Sequence, residues 1–233
     1  MNTGPTRASL ETLHPALWRA SQLAQAPAPV VPTGHGALDA VLPGGGWPLG
    51  GLVEFCLAQP GIGEIRLLQP ALAALGPGPV VLAQPPCPPC AAAWPPRLAS
   101  PCLWLRPRRP ADALWAAEQV LRSRAFTALL IWQQSISFQV LRRLQLAAQA
   151  GRTLCVLYRP WRACPQSSPA PLRLALQPMP DGLSVQVLKR RGHPHPQPIL
   201  LRLETYGVTL HHALDSAASA AFRARRTGSV LAH

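Results

Sequence analysis

The stretch Cys56-Leu57-Ala58-Gln59-Pro60-Gly61-Ile62-Gly63-Glu64-Ile65-Arg66 constrains the fold more than any other part of the chain. It follows an apolar run, Gly51 to Phe55, that predicts a buried strand, and precedes Leu67 to Leu75, which predicts a helix. A strand that turns through a glycine-bearing loop into a helix aims the first backbone N–H groups of that helix, and the positive end of its dipole, at the loop. Strands and helices alternate from about residue 50 to 160, so the expected fold class is α/β.

Such a corner holds phosphate when it reads G-x-x-x-x-G-K-S/T. Here Gly63 fits the second glycine, but Ala58 stands at the first, Glu64 at the lysine and Ile65 at the hydroxyl residue. Two unit charges about 4 Å apart interact by roughly 4 kcal/mol at an effective dielectric near 20. Glu64 therefore turns an attraction of that size into a repulsion. Ile65 has no hydroxyl for Mg²⁺, and Pro60 removes one N–H from the cradle. Arg66 is the one nearby cation, either a substitute for the lysine or an ordinary helix-surface arginine. No bound nucleotide, cofactor or metal is expected.

A chain of 233 residues with 48% hydrophobic and 13% charged residues suits one globular domain with tails. Its net charge of +13 favours polyanions, although a coding bias for Arg, Ala and Pro inflates the basic count. The 29 prolines mostly separate apolar runs. No segment reads as a signal peptide, and no apolar run reaches the ~18 residues needed to cross a bilayer. A cytoplasmic location without membrane contact is expected, with the six cysteines reduced.

Residues 1–29 read as an arm and linker, with a helical piece over Pro15–Gln25 that either packs on the core or docks another subunit. Thr33 to Glu54 then follows T-G-x-x-x-L-D-x-x-L-x-G-G-x-P-x-G-x-x-x-E with one extra residue in the turn. This resembles the opening of the RecA-like recombinases. The loop Pro60-Gly-Ile-Gly-Glu-Ile-Arg66 further resembles that of the ImuA family of translesion-synthesis proteins, as does the proline-rich bend after Val80–Gln84. Trp132 to Ala150 is where a likeness to the division inhibitor SulA is strongest. The resemblance implies a RecA-like core over roughly 30–205, with a mainly parallel central sheet, helices on both faces and an antiparallel closing hairpin. Residues 206–233 would form a basic tail.

In RecA an acid follows the second strand and another ends the strand matching Thr127–Trp132. Here Ala83 to Cys90 contains no carboxylate and Trp132 stands at the second place. Cys87-Pro-Pro-Cys90 has no ligand pair at zinc spacing and reads as inert loop thiols. Pro110–Ser123 reads as a helix with proline at its start, and Ile136–Ala150 as another, ended by Gly151, with Ile136, Val140 and Leu144 inward and Arg142 and Arg143 outward.

Arg159 to Pro171 reads as a loop; its counterpart in RecA touches DNA, which makes Arg159 and Arg162, beside Trp161, candidate DNA contacts. Lys189, Arg190 and Arg191, before the last strand, and Arg223, Arg225 and Arg226 in the tail are further candidates. The resemblance implies a non-catalytic accessory protein of the damage-induced SOS response. Its implied partners are an ImuB-like inactive Y-family polymerase and an error-prone DnaE-type polymerase. RecA, a second copy of the chain and weakly held DNA are further candidates. The alternative is a SulA-like inhibitor that binds the division GTPase.

Overall fold

The computed structural model describes residues 29–89 and 101–203. The helical piece over Pro15–Gln25, Cys90 and the tail arginines Arg223, Arg225 and Arg226 lie outside them.

The chain is α/β. In order it forms β1 (Val30–Val31), α1 (Gly36–Asp39), β2 (Trp47–Pro48), β3 (Gly51–Leu57), α2 (Glu64–Ala74), β4 (Val80–Ala83) and β5 (Cys102–Leu105). There follow α3 (Pro110–Ser123), β6 (Ala128–Trp132), α4 (Phe138–Gln149), β7 (Leu154–Pro160), β8 (Leu172–Met179), β9 (Gly182–Lys189) and β10 (Ile199–Arg202). Eight strands make one sheet in the order β10-β9-β8-β3-β7-β6-β4-β5. From β8 to β5 every neighbour is parallel, while β8–β9 and β9–β10 are antiparallel. The mainly parallel sheet and the antiparallel hairpin at its end are both present.

Alternation along the strands fills two cores. Val53, Phe55 and Leu57 of β3, Leu130 of β6 and Val156 of β7 face Leu67, Leu68 and Leu72 of α2. Leu52, Leu129, Ile131, Cys155 and Leu157 face the other way, against Ala117 and Leu121 of α3 and Leu141 and Leu144 of α4. Both faces of the central strands are therefore buried, which is why β6 and most of β7 read as unbroken apolar runs and β3 is broken only by Glu54. Helices lie on both faces, as expected.

The boundaries of α3 match the sequence reading, with Pro110 in its first turn. α4 is shorter than expected because Ser137 caps it, its side chain accepting the Val140 N–H at 3.4 Å. The inward residues are then Leu141, Leu144, Ala147 and Ala148, and Val140 is only half-buried.

The pattern at Thr33–Asp39 has a local cause. The Asp39 carboxylate accepts the Thr33 N–H at 2.8 Å, and the Thr33 hydroxyl accepts the His35 N–H at 3.0 Å. This turn drives Leu38 into the core, fully buried. Sequence reading missed the small β1–β2 pair that follows, in which Val31 lies opposite Trp47. Gly46 is required there, because a Cβ on it would lie 2.2 Å from the Val31 carbonyl oxygen. We expect Gly46→Ala to lower the unfolding free energy by about 1–3 kcal/mol, the usual effect of overpacking, read as a lower denaturant midpoint. An unchanged midpoint would mean that the pair can open without loss.

Candidate functional site

The parallel strands end on one edge of the sheet, where ligands of open α/β sheets bind. β3 stops at Leu57, and the loop 58–63 leads into α2. Two glycines shape it: Gly61 has φ +84° and Gly63, the N-cap of α2, φ +109°, both in the left-handed region. The predicted strand–loop–helix corner is present, and two of its N–H groups, those of Gly61 and Gly63, point into the loop.

Those N–H groups are occupied. Glu64, at the lysine position, is buried and turns back into the loop. Its two carboxylate oxygens accept the Gly61 N–H at 3.0 and 3.1 Å, and one of them accepts the Gly63 N–H at 3.2 Å. A carboxylate suits the positive end of a helix as a phosphate does. The chain's own anion thus takes the two N–H groups, where charge alone had suggested only a repulsion. The Arg66 guanidinium donates to the Leu203 carbonyl at 2.7 Å.

Beneath the loop, three adjacent strands carry aromatic rings at one level. Phe55 lies opposite Tyr158, and Tyr158 opposite Trp132, in the strand register. Trp132 stacks on Tyr158 at 4.5 Å between centroids, Phe55 meets Tyr158 edge-on at 5.6 Å, and Trp47 lies 5.5 Å from Phe55. Burial, and next the charge of Glu64, hold the Tyr158 phenol well above its usual range. Aromatic rings thus stand at the level where the RecA resemblance implies an acid. At the ends of β4 and β6 the Gln133 amide donates to Gln84 at 2.5 Å, so an amide pair stands there instead of a carboxylate.

The candidate DNA contacts are not brought together. Arg159 is a correction: β7 continues through it, it is only 3% exposed, and its guanidinium is held at 3.1 Å from Glu54 and 2.5 Å from Gln166. The expected loop instead begins with a 3₁₀ turn, Trp161–Ala163. Arg162, within that turn, is exposed and donates to the side-chain amide oxygen of Gln134 at 3.3 Å. Lys189 donates to the Ser168 carbonyl at 2.9 Å, and burial and then the charge of Arg173 lower its pKa. Arg190 donates to the carbonyls of Val41 and His193, and Arg191 is exposed at the opposite edge of the sheet, near Gly50 and Gly51. Arg143 pairs with Glu118 of α3. Among the described residues no His, Cys, Asp or Glu group of three or more could hold a metal ion, and no helix is long and apolar enough to cross a membrane.

Sequence reading missed a buried ion cluster. Glu54, fully buried in β3, accepts from Arg159 at 3.1 Å and from Arg173 of β8 at 2.9 Å through the same oxygen. Arg173 also donates to the carbonyls of Ala163 and Cys164, at 3.1 and 3.3 Å, and so ties the 3₁₀ turn to the sheet. The signal was a glutamate inside an apolar strand, which has to find a cation.

Nearby thiols are protected. Burial pushes the Cys155 thiol up to about 12, and burial, followed by Cys164 and Glu54, does the same for Cys56. The folded state holds these protons more tightly than the unfolded chain, whose thiols ionise near 9.0. Their contribution to stability is therefore complete below about pH 9 and is lost as pH climbs towards 12. Urea midpoints should fall steadily between pH 9 and 11, and maleimide at pH 7 should label the exposed Cys87 but not Cys155.

No protein-family model matches the chain, and no curated protein matches it.

Proposed function

We propose that the chain is a catalytically silent RecA-like accessory protein of damage-induced translesion synthesis. It serves as an adaptor between an ImuB-like inactive Y-family polymerase and an error-prone DnaE-type polymerase, with RecA and DNA as further contacts. The observation that carries the reading is the Glu64 carboxylate on the loop N–H groups at 3.0–3.2 Å. A corner built to hold phosphate and filled by its own side chain keeps the shape of a nucleotide-binding core without the switch. The parallel sheet centred on β3, with an antiparallel hairpin at one end, is the arrangement that the RecA resemblance implies. An adaptor needs a stiff, unswitching body, and the dry aromatic row supplies stiffness under the loop.

The test is affinity capture of the tagged full chain from DNA-damaged cells. Recovery of both polymerases is the expected result. Recovery of the division GTPase without either polymerase would replace this reading by the SulA-like one, and loss of the gene without effect on damage-induced mutagenesis would overturn it.

A further inference from the structure

At the edge of the sheet where β6 and β7 begin, opposite the glycine corner, the surface sinks into an open cavity of about 490 Å³. That size lies within the roughly 300–1,000 Å³ of ligand pockets. Arg124 and Arg152 line it, with Thr127 and Thr153 beside them, and no carboxylate is among the described lining residues. Both arginines are exposed, and neither is paired with another group among the described residues.

Their placement is not casual. Arg124 caps the end of α3 with φ +56°, in the left-handed region where glycine is favoured. A Cβ on Gly151 would come 3.4 Å from Arg124 Cγ, so the Arg124 stem runs along the turn that carries Arg152. The fold thus accepts an unfavourable backbone conformation and sets two cations side by side over a hollow. A second cavity, of about 200 Å³, shares the walls Val30 and Leu49 and is lined by Arg191.

We propose that this edge is a phosphate-binding groove and that its ligand is the sugar–phosphate backbone of a nucleic acid. An open hollow with two arginines, continuous with a second cavity along the same edge, suits a string of phosphates better than a single one. The net charge of +13 would draw such a polymer in. The guanidinium forks would donate to phosphate oxygens, and the contact would be blind to sequence. The groove would act whether or not a polymerase is bound, so it stands or falls apart from the adaptor role.

The test is anisotropy of a labelled oligothymidylate with the full-length protein over a salt series. A chain that neutralises 6–10 phosphates loses about 10³–10⁵ in affinity on moving from 50 to 200 mM salt, or roughly half a log unit per contact. Arg124→Ala with Arg152→Ala should weaken binding, more at 50 mM than at 200 mM salt, and flatten the salt slope by about 1.4, two contacts at roughly 0.7 each. Arg108→Ala with Arg202→Ala removes the same charge elsewhere and should change neither. Arg124→Gly should bind more weakly while its Tm holds or rises, since it relieves the left-handed arginine. Equal losses in the two double variants would show only diffuse attraction and overturn the proposal. Saturable binding of inorganic pyrophosphate that the Arg124/Arg152 pair abolishes, with no binding of the oligonucleotide, would overturn the nucleic-acid assignment.

Discussion

Glu54→Ala should lower the unfolding free energy by about 3–5 kcal/mol, because it strands two buried guanidinium groups without a counter-charge. For a chain of this size that corresponds to a fall in Tm of about 6–20 °C. Arg159 and Arg173 are 3% and 7% exposed, so water cannot take over from the lost carboxylate. Glu54→Gln, which keeps the shape and removes the charge, should lose most of the same amount. Replacing Glu54, Arg159 and Arg173 together by Leu and Met should recover much of it, since a buried ion cluster seldom outperforms packed apolar groups of its size. Urea unfolding of the three variants checks this. A loss under 1 kcal/mol for Glu54→Ala would show that the cluster is wetter, and less important, than its geometry says.

The second large effect concerns nucleotide. Calorimetry with Mg·ATP should show no saturable heat up to about 1 mM, which bounds binding at weaker than about −4 kcal/mol. A lysine-bearing loop would bind more than a thousandfold tighter, since the reversed charge alone exchanges roughly 4 kcal/mol of attraction for repulsion. Glu64→Lys should not restore turnover, because the Trp132 and Tyr158 rings still occupy the level of the metal. The same variant should lose about 1–3 kcal/mol of stability, as the Gly61 and Gly63 N–H groups lose their acceptor. Micromolar binding by the unaltered protein, followed by phosphate release, would refute the silent-core reading.

Local signals made much of the architecture legible in the sequence. Pro110 marked the first turn of its helix, Gly151 the end of the next, and unbroken apolar runs marked strands buried on both faces. The corner was legible because a left-handed loop needs Gly61 and Gly63. Pairings fixed by register were not legible. Arg159 beside Trp161 looks like a surface contact until β3, β7 and β8 align, which sets Glu54 opposite Arg173 and Cys56 opposite Arg159. Glu64 posed the same difficulty in miniature: its charge was plain, but a side chain bending back onto its own loop depends on φ angles that no composition reveals. Arg124 and Arg152 are 28 positions apart and share a hollow only because β6 and β7 start side by side.

The row of rings under the loop limits what single substitutions can do. No one exchange would turn this corner into a metal-binding one. Exchanging Trp132 for an acid would bury a charge beside Tyr158 before any metal could reach it, and exchanging Glu64 first would leave a lysine above a sealed floor. Each route descends before it climbs, so the arrangement behaves as a ratchet.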